Sequence, residues 1–89
     1  MHVRRFEWDV ANVDHIARHA LEPPDVEAAC RADALILRGR QGCYLAYGRT
    51  AAGRYILTVL RSLGGGVVRV ITSRDMTSRE RQFYQERRR

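Results

Sequence analysis

Between residues 34 and 73, four runs rich in Val, Ile, Leu and Tyr alternate with short connections that contain glycine. The runs are Ala34–Arg38, Cys43–Arg49, Arg54–Arg61 and Val67–Ser73, with the composition that suits a pleated, half-buried surface. Parallel neighbours need a crossover of about a dozen residues. The connections Gly39–Gly42, Thr50–Gly53 and Ser62–Gly66 are shorter, so consecutive strands are expected to pair antiparallel as a meander. Gly64 to Gly66 read as a hairpin turn, since no P-loop lysine accompanies them and no helix follows at once.

The flanks carry helix signals. Val3–Trp8 has the character of a short strand, and Asp9 is an N-cap for a helix over residues 10–19, with Val13, Ile16 and Ala17 on one stripe. Pro23-Pro24 suits the first turn of a second helix, where the missing amide donors have no partner to lose. That helix is expected to bury Val26, Ala29 and Cys30 and to end near Arg31 or Ala32. Thr77-Ser78-Arg79-Glu80 has capping-box spacing, which predicts a last helix from Thr77 touching the sheet through Phe83 and Tyr84, with Met76 just ahead. The expected fold is one α+β domain over residues 1–89: an antiparallel meander of about four strands, two N-terminal helices and a C-terminal helix. A chain of 89 residues has room for one modest core.

All 16 basic side chains are arginine, and the formal charge is +6. Residues 1–33 hold seven acids and four arginines, whereas residues 34–89 hold three acids and twelve arginines. The strand-rich half therefore carries the positive field, which points to a polyanionic partner such as nucleic acid. No apolar run approaches the roughly 20 residues of a membrane span, and the start of the chain lacks a signal-peptide core, so a cytoplasmic location and no membrane partner are expected.

Candidate chemical groups are few. His15 and His19 share a helix face, but no glutamate follows His15 and no third ligand is placed, so no metal site is assigned. His19 is a candidate acid or base because imidazole titrates near neutrality. Cys30 and Cys43 read as reduced structural thiols, and Tyr44, Tyr47 and Tyr55 as half-buried packing residues. Strand alternation groups Arg69 with Val67 and Ile71, and Arg54 with Ile56, Thr58 and Leu60. Each arginine interrupts an apolar row; it either reaches the rim for structural reasons or joins a site.

Taken in order, Phe6-Glu7-Trp8-Asp9, Ala17-Arg18-His19, Gly53-Arg54-Tyr55, Val68-Arg69-Val70-Ile71, Ser73-Arg74 and Glu80-Arg81 followed by Tyr84 resemble the BrnT family of toxins. The sequence departs from that pattern at Asn12, where many relatives carry lysine, at Ala20, where glycine usually follows the histidine, and at Glu22, where a hydroxyl cap is usual. The resemblance implies a RelE-like fold and a ribonuclease of a type II toxin–antitoxin system that inhibits translation. Its implied partners are RNA and a BrnA-like ribbon-helix-helix antitoxin, with operator DNA bound only through the antitoxin complex.

Metal-free RNA cleavage needs a base for the ribose 2′-hydroxyl, cations for the phosphorane and an acid for the leaving oxygen. On this resemblance His19 or Glu80 is the base, Arg54, Arg69 and Arg74 bind phosphate, and Tyr84 or His19 is the acid, with no cofactor. Two alternatives use the same basic half: a nucleic-acid-binding module without catalysis, and an antitoxin-docking domain.

Overall fold

The computed structural model describes residues 1–31 and 33–88. Its elements are β1 (Arg5–Glu7), α1 (Val10–Ala17), α2 (Pro23–Ala29), β2 (Leu35–Arg38), β3 (Cys43–Arg49), β4 (Tyr55–Gly64), β5 (Val67–Asp75) and α3 (Ser78–Arg87). The expected Ala32 end of the second helix lies outside the described residues; α2 itself stops at Ala29.

The sheet has five strands in the order β1-β5-β4-β3-β2. β2 to β5 form the expected antiparallel meander, but the sheet is mixed, which corrects the expectation of about four antiparallel strands. β1 pairs with β5 in parallel, Phe6 opposite Val68. Chain order permits the parallel pairing: β1 is joined to its neighbour through the whole intervening domain, not through a hairpin that would force opposite directions. β4 runs three residues beyond Arg61, so the turn to β5 tightens to Gly65 and Gly66. Their φ angles of 62° and 82° are the positive values that a primed two-residue hairpin turn requires.

The two sheet faces are covered unequally. On one, α1 and α2 bury Phe6, Ile16, Leu21, Val26, Ala29, Cys30, Ala46, Ile56, Leu60, Val68 and Val70. Burial there pushes the Cys30 thiol up to about 12, keeping it protonated and unreactive. Gly48 of β3 lies against the Ala29 carbonyl so closely that any side chain would collide with backbone. On the opposite face α3 covers only one end, packing Tyr84 and Phe83 with Tyr47, Leu57, Leu35 and Met76. The rest of that face is open.

α1 is shorter than expected and rests on the core mainly through Ile16, with Val13 half-buried and Ala17 exposed. Its end is a Schellman turn: Leu21 N–H reaches Ile16 O at 3.2 Å, Ala20 N–H reaches Ala17 O at 3.0 Å, and Ala20 sits at φ 57°. Alanine occupies the left-handed position that glycine usually fills, and Leu21 and Ile16 are both buried beneath it. Asp9 caps the other end by accepting from Asn12 N at 2.8 Å. Glu22 is no obstacle to α2, because the Asp25 carboxylate accepts from its amide at 2.8 Å. α3 starts with the expected Thr77–Glu80 capping box.

Candidate active site on the open sheet face

β1 spans only three residues, so β5 is an exposed edge beyond Arg69. α1 lies along that edge. Asn12 Nδ2 donates to Val70 O at 2.9 Å, and His15 Nε2 meets Thr72 Oγ1 at 2.9 Å. One turn on is His19, with its ring centroid 6.5 Å from that of His15. His15 therefore sits at the seam between α1 and the open face, with the exposed His19 ring one turn beyond it.

An irregularity in β5 sets what shares that face. Val70 is opposite Leu60 and Thr72 is opposite Val59, leaving Ile71 as an extra residue. A bulge of this kind shifts the alternation by one. Arg69, Thr72 and Arg74 consequently share a face, opposite Arg61, Val59 and Leu57, in spite of their uneven spacing. The expected row of Val67, Arg69 and Ile71 is interrupted at Ile71 for this reason.

The arginines differ sharply in their commitments. Arg54 donates to Ala20 O and His19 O, each at 2.8 Å, and to Asp75 Oδ1 at 2.9 Å from Nη2 and 3.2 Å from Nε. Its fork clamps the end of α1 to the end of β5. Arg74 makes a bidentate pair with Glu80 at 2.8 and 2.9 Å and donates to Asp75 O at 3.0 Å. Those bonds, with the Thr77 amide, hold the Glu80 carboxyl down at about 2, where it is a poor proton acceptor at neutral pH. The same pairing raises Arg74 above its ordinary value.

Arg69 is held loosely, 3.6 Å from Glu7 and 4.0 Å from Asp9. Directly across the strand pair is Arg61, also exposed. Like charges facing each other in an antiparallel pair oppose folding unless an anion lies between them.

Tyr84 lies away from this group. It is buried beneath α3, where its hydroxyl donates to Asp33 O at 3.3 Å and accepts from Arg88 Nη1 at 2.8 Å. Of the six residues expected from sequence, the structure brings Arg54 against the His19 backbone and Arg74 against Glu80, sets Arg69 further along the face of Arg74, and separates Tyr84. The sequence marks His15 only by its metal-ligand spacing to His19 and sets neither Arg61 nor Thr72 apart. The i, i+4 spacing of the histidines was the available signal; the bulge had none. Among the described residues, no group of three or more His, Cys, Asp or Glu side chains is arranged to hold a metal ion. No helix there is long and apolar enough to cross a membrane.

No protein-family model matches this sequence, and no curated protein sequence matches it. Among solved structures, the 1.1 Å crystal structure of the Brucella abortus ribonuclease toxin BrnT superposes with a TM-score of 0.68 at 21% identity. The match covers 83% of this chain and 97% of that one. The chain has the BrnT fold. The resemblance in its ordered motifs is thus met at the level of architecture, with almost the whole BrnT chain accounted for.

Proposed function

We propose that this chain is a metal-independent endoribonuclease of the toxin–antitoxin kind, acting from the open face beside α1. The observation that carries this reading is its fold likeness, over 97% of the matched chain, to a protein described as a ribonuclease toxin. The local geometry supports it. Arg61 and Arg69 are cross-strand partners, and Arg69 would exchange its long contacts to Glu7 and Asp9 for short ones to a phosphodiester that both can reach. His15 and His19 supply the base and the acid, one imidazole on either side of the phosphorus.

The spacing fits this division of labour. The attacking 2′-oxygen and the leaving 5′-oxygen lie on opposite sides of phosphorus, and each needs a nitrogen within about 2.6 to 3.2 Å. Rings 6.5 Å apart, tilted by 51°, can serve both. Thr72 orients His15, while Arg54 fixes the turn that carries His19. Glu80 then acts through Arg74, placing its guanidinium at the end of the face, and Tyr84 acts by anchoring α3. In this reading Arg54, Glu80 and Tyr84 are positioning residues. Antitoxin binding by a small BrnA-like ribbon-helix-helix protein belongs to the same proposal: it covers the open face, and operator DNA is reached only through that partner.

The site is tested by cleavage kinetics of His15→Gln, His19→Gln and Arg69→Lys on a defined RNA, with thermal melts alongside. Each variant should fold and lose about a hundred- to a thousandfold in rate, Arg69→Lys because lysine keeps the charge but lacks the planar fork. Folded variants that cut at the wild-type rate would refute the assignment.

A further inference from the structure

Tyr55 is half-buried against the Tyr47, Leu57 and Tyr84 cluster, as expected of a packing residue, and is also the base of an arginine stack. Arg81 Cζ lies 4.0 Å from its ring centroid and Arg49 Cζ lies 4.8 Å away. Gln85 Nε2 donates to the Tyr55 hydroxyl at 3.2 Å, and the Tyr84 ring meets Tyr55 edge-on. The two guanidiniums are within about 9 Å of each other, the most that these ring distances allow, so they repel unless an anion joins them.

Nearby acids are already taken. Asp75 is paired with Arg54, Glu80 with Arg74 and Asp33 with Arg88. Arg49 and Arg81 make no ion pair with a carboxylate among the described residues. A guanidinium stacked on a ring keeps its N–H donors in plane and turned outward, ready for phosphate oxygens. Each also lines a cleft: Arg81 one of about 260 Å³ with Tyr55 and Met76, Arg49 one of about 440 Å³ with Tyr84 and Arg88. Gly53 belongs to both clefts; it sits at φ 93°, and a side chain there would press on Arg49.

Tyr55 and Arg61 point to the same side of β4, six residues and roughly 20 Å apart. α3 covers Leu57 between them, so a single RNA strand bound at Arg61 would follow the rim of α3 and reach the arginines at Tyr55 several nucleotides from the bond at the histidines. We propose that Arg49 and Arg81, stacked on Tyr55, form a second phosphate-binding site for that strand. This rests on the RNA-cleaving reading above. Guanidinium forks take carboxylate and phosphate alike; a phosphate backbone is chosen over an acidic protein segment because the strand cut at the histidines in the reading above carries phosphates on toward this end of the same sheet.

The test is fluorescence-anisotropy binding of a 12-nucleotide 2′-O-methyl RNA, which cannot be cut, across a salt series. Arg49→Gln/Arg81→Gln should lower the slope of log K against log salt by about 1.4, two contacts at about 0.7 each on single strands. Affinity at 0.1 M salt should fall about 25-fold and converge with wild type toward 1 M. Arg40→Gln/Arg79→Gln removes the same charge elsewhere and should change the slope by much less. Arg49→Lys/Arg81→Lys should restore most of it, which a folding defect would not allow. A slope equal to that of the control pair would overturn the site, as would loss of polyglutamate binding with RNA binding intact. Cleavage of ordinary RNA by the wild type is read separately. A protein that cuts RNA but binds it without Arg49 and Arg81 refutes only this site; one that binds through them and never cuts refutes only the ribonuclease reading. A wild type that does not bind RNA refutes both.

Discussion

Replacing Glu80 by glutamine separates its charge from its cap. The carboxylate accepts from Arg74 Nη1, Arg74 Nη2 and Thr77 N at 2.8, 2.9 and 2.8 Å, and its titration lies at about 2 instead of 4.5. Unscreened, that depression equals roughly 3 kcal/mol of folding stability. The Arg74 side chain is 41% exposed and solvent weakens the pair, so about 1 to 2 kcal/mol is expected for Glu80→Gln at pH 7. The glutamine carbonyl still accepts from Thr77 N, whereas Glu80→Ala loses this bond too and should cost about 1 kcal/mol more.

The pH dependence gives the sharper test. Because the folded-state value lies below the unfolded one, the stabilisation is complete above the unfolded value of about 4.5 and disappears as pH falls through about 2. Urea unfolding followed by circular dichroism should show a constant gap between wild type and Glu80→Gln from pH 7 to about 5, closing between 4.5 and 2. At pH 7 the melting temperature should drop by roughly 4 to 15 °C, at about 4 to 8 °C per kcal/mol for a domain this small. A gap that is absent at pH 7, or persists unchanged at pH 2, would show that the Arg74–Glu80 pair does not stabilise the fold.

Ala20→Gly should stabilise the fold by about 0.5 to 1 kcal/mol, since glycine occupies φ 57° without the steric penalty borne by alanine; a lower unfolding midpoint would contradict the Schellman assignment. Arg54→Gln should cost about 1.5 to 3 kcal/mol and speed amide exchange at Ala20 and Leu21, because the bonds to His19 O, Ala20 O and Asp75 are lost. Unchanged exchange there would show that Arg54 does not clamp the turn.

The local elements were legible wherever a short-range pattern specified them. Cys43–Arg49 is a strand to the residue, and Thr77–Glu80 starts α3 because both halves of the capping box lie within four residues. The parallel pairing of β1 was not legible: Phe6 and Val68 are joined by no turn whose chemistry could announce it. Nor was the bulge at Ile71, where nothing in Val70-Ile71-Thr72 marks the extra residue that brings Arg69, Thr72 and Arg74 onto one face.

Arginine roles were the least readable. Arg54, Arg69 and Arg74 look equivalent along the chain, yet tertiary neighbours give the first to backbone carbonyls, the third to Glu80, and leave the second with only long contacts. Ala20 carried an intermediate signal. Its departure from glycine was visible in sequence, while its position at a Schellman turn required the fold.

Analysis of fragment ends after incubating the purified protein with a defined RNA in EDTA separates 2′-hydroxyl attack from metal-dependent hydrolysis. Cleavage should persist in the chelator and leave a 2′,3′-cyclic or 3′-phosphate, and a single deoxyribose at the cut site should abolish it by removing the nucleophile. Cutting that requires a divalent ion, or that proceeds at the deoxy position, would contradict a 2′-hydroxyl attack driven by His15, His19 and Arg69.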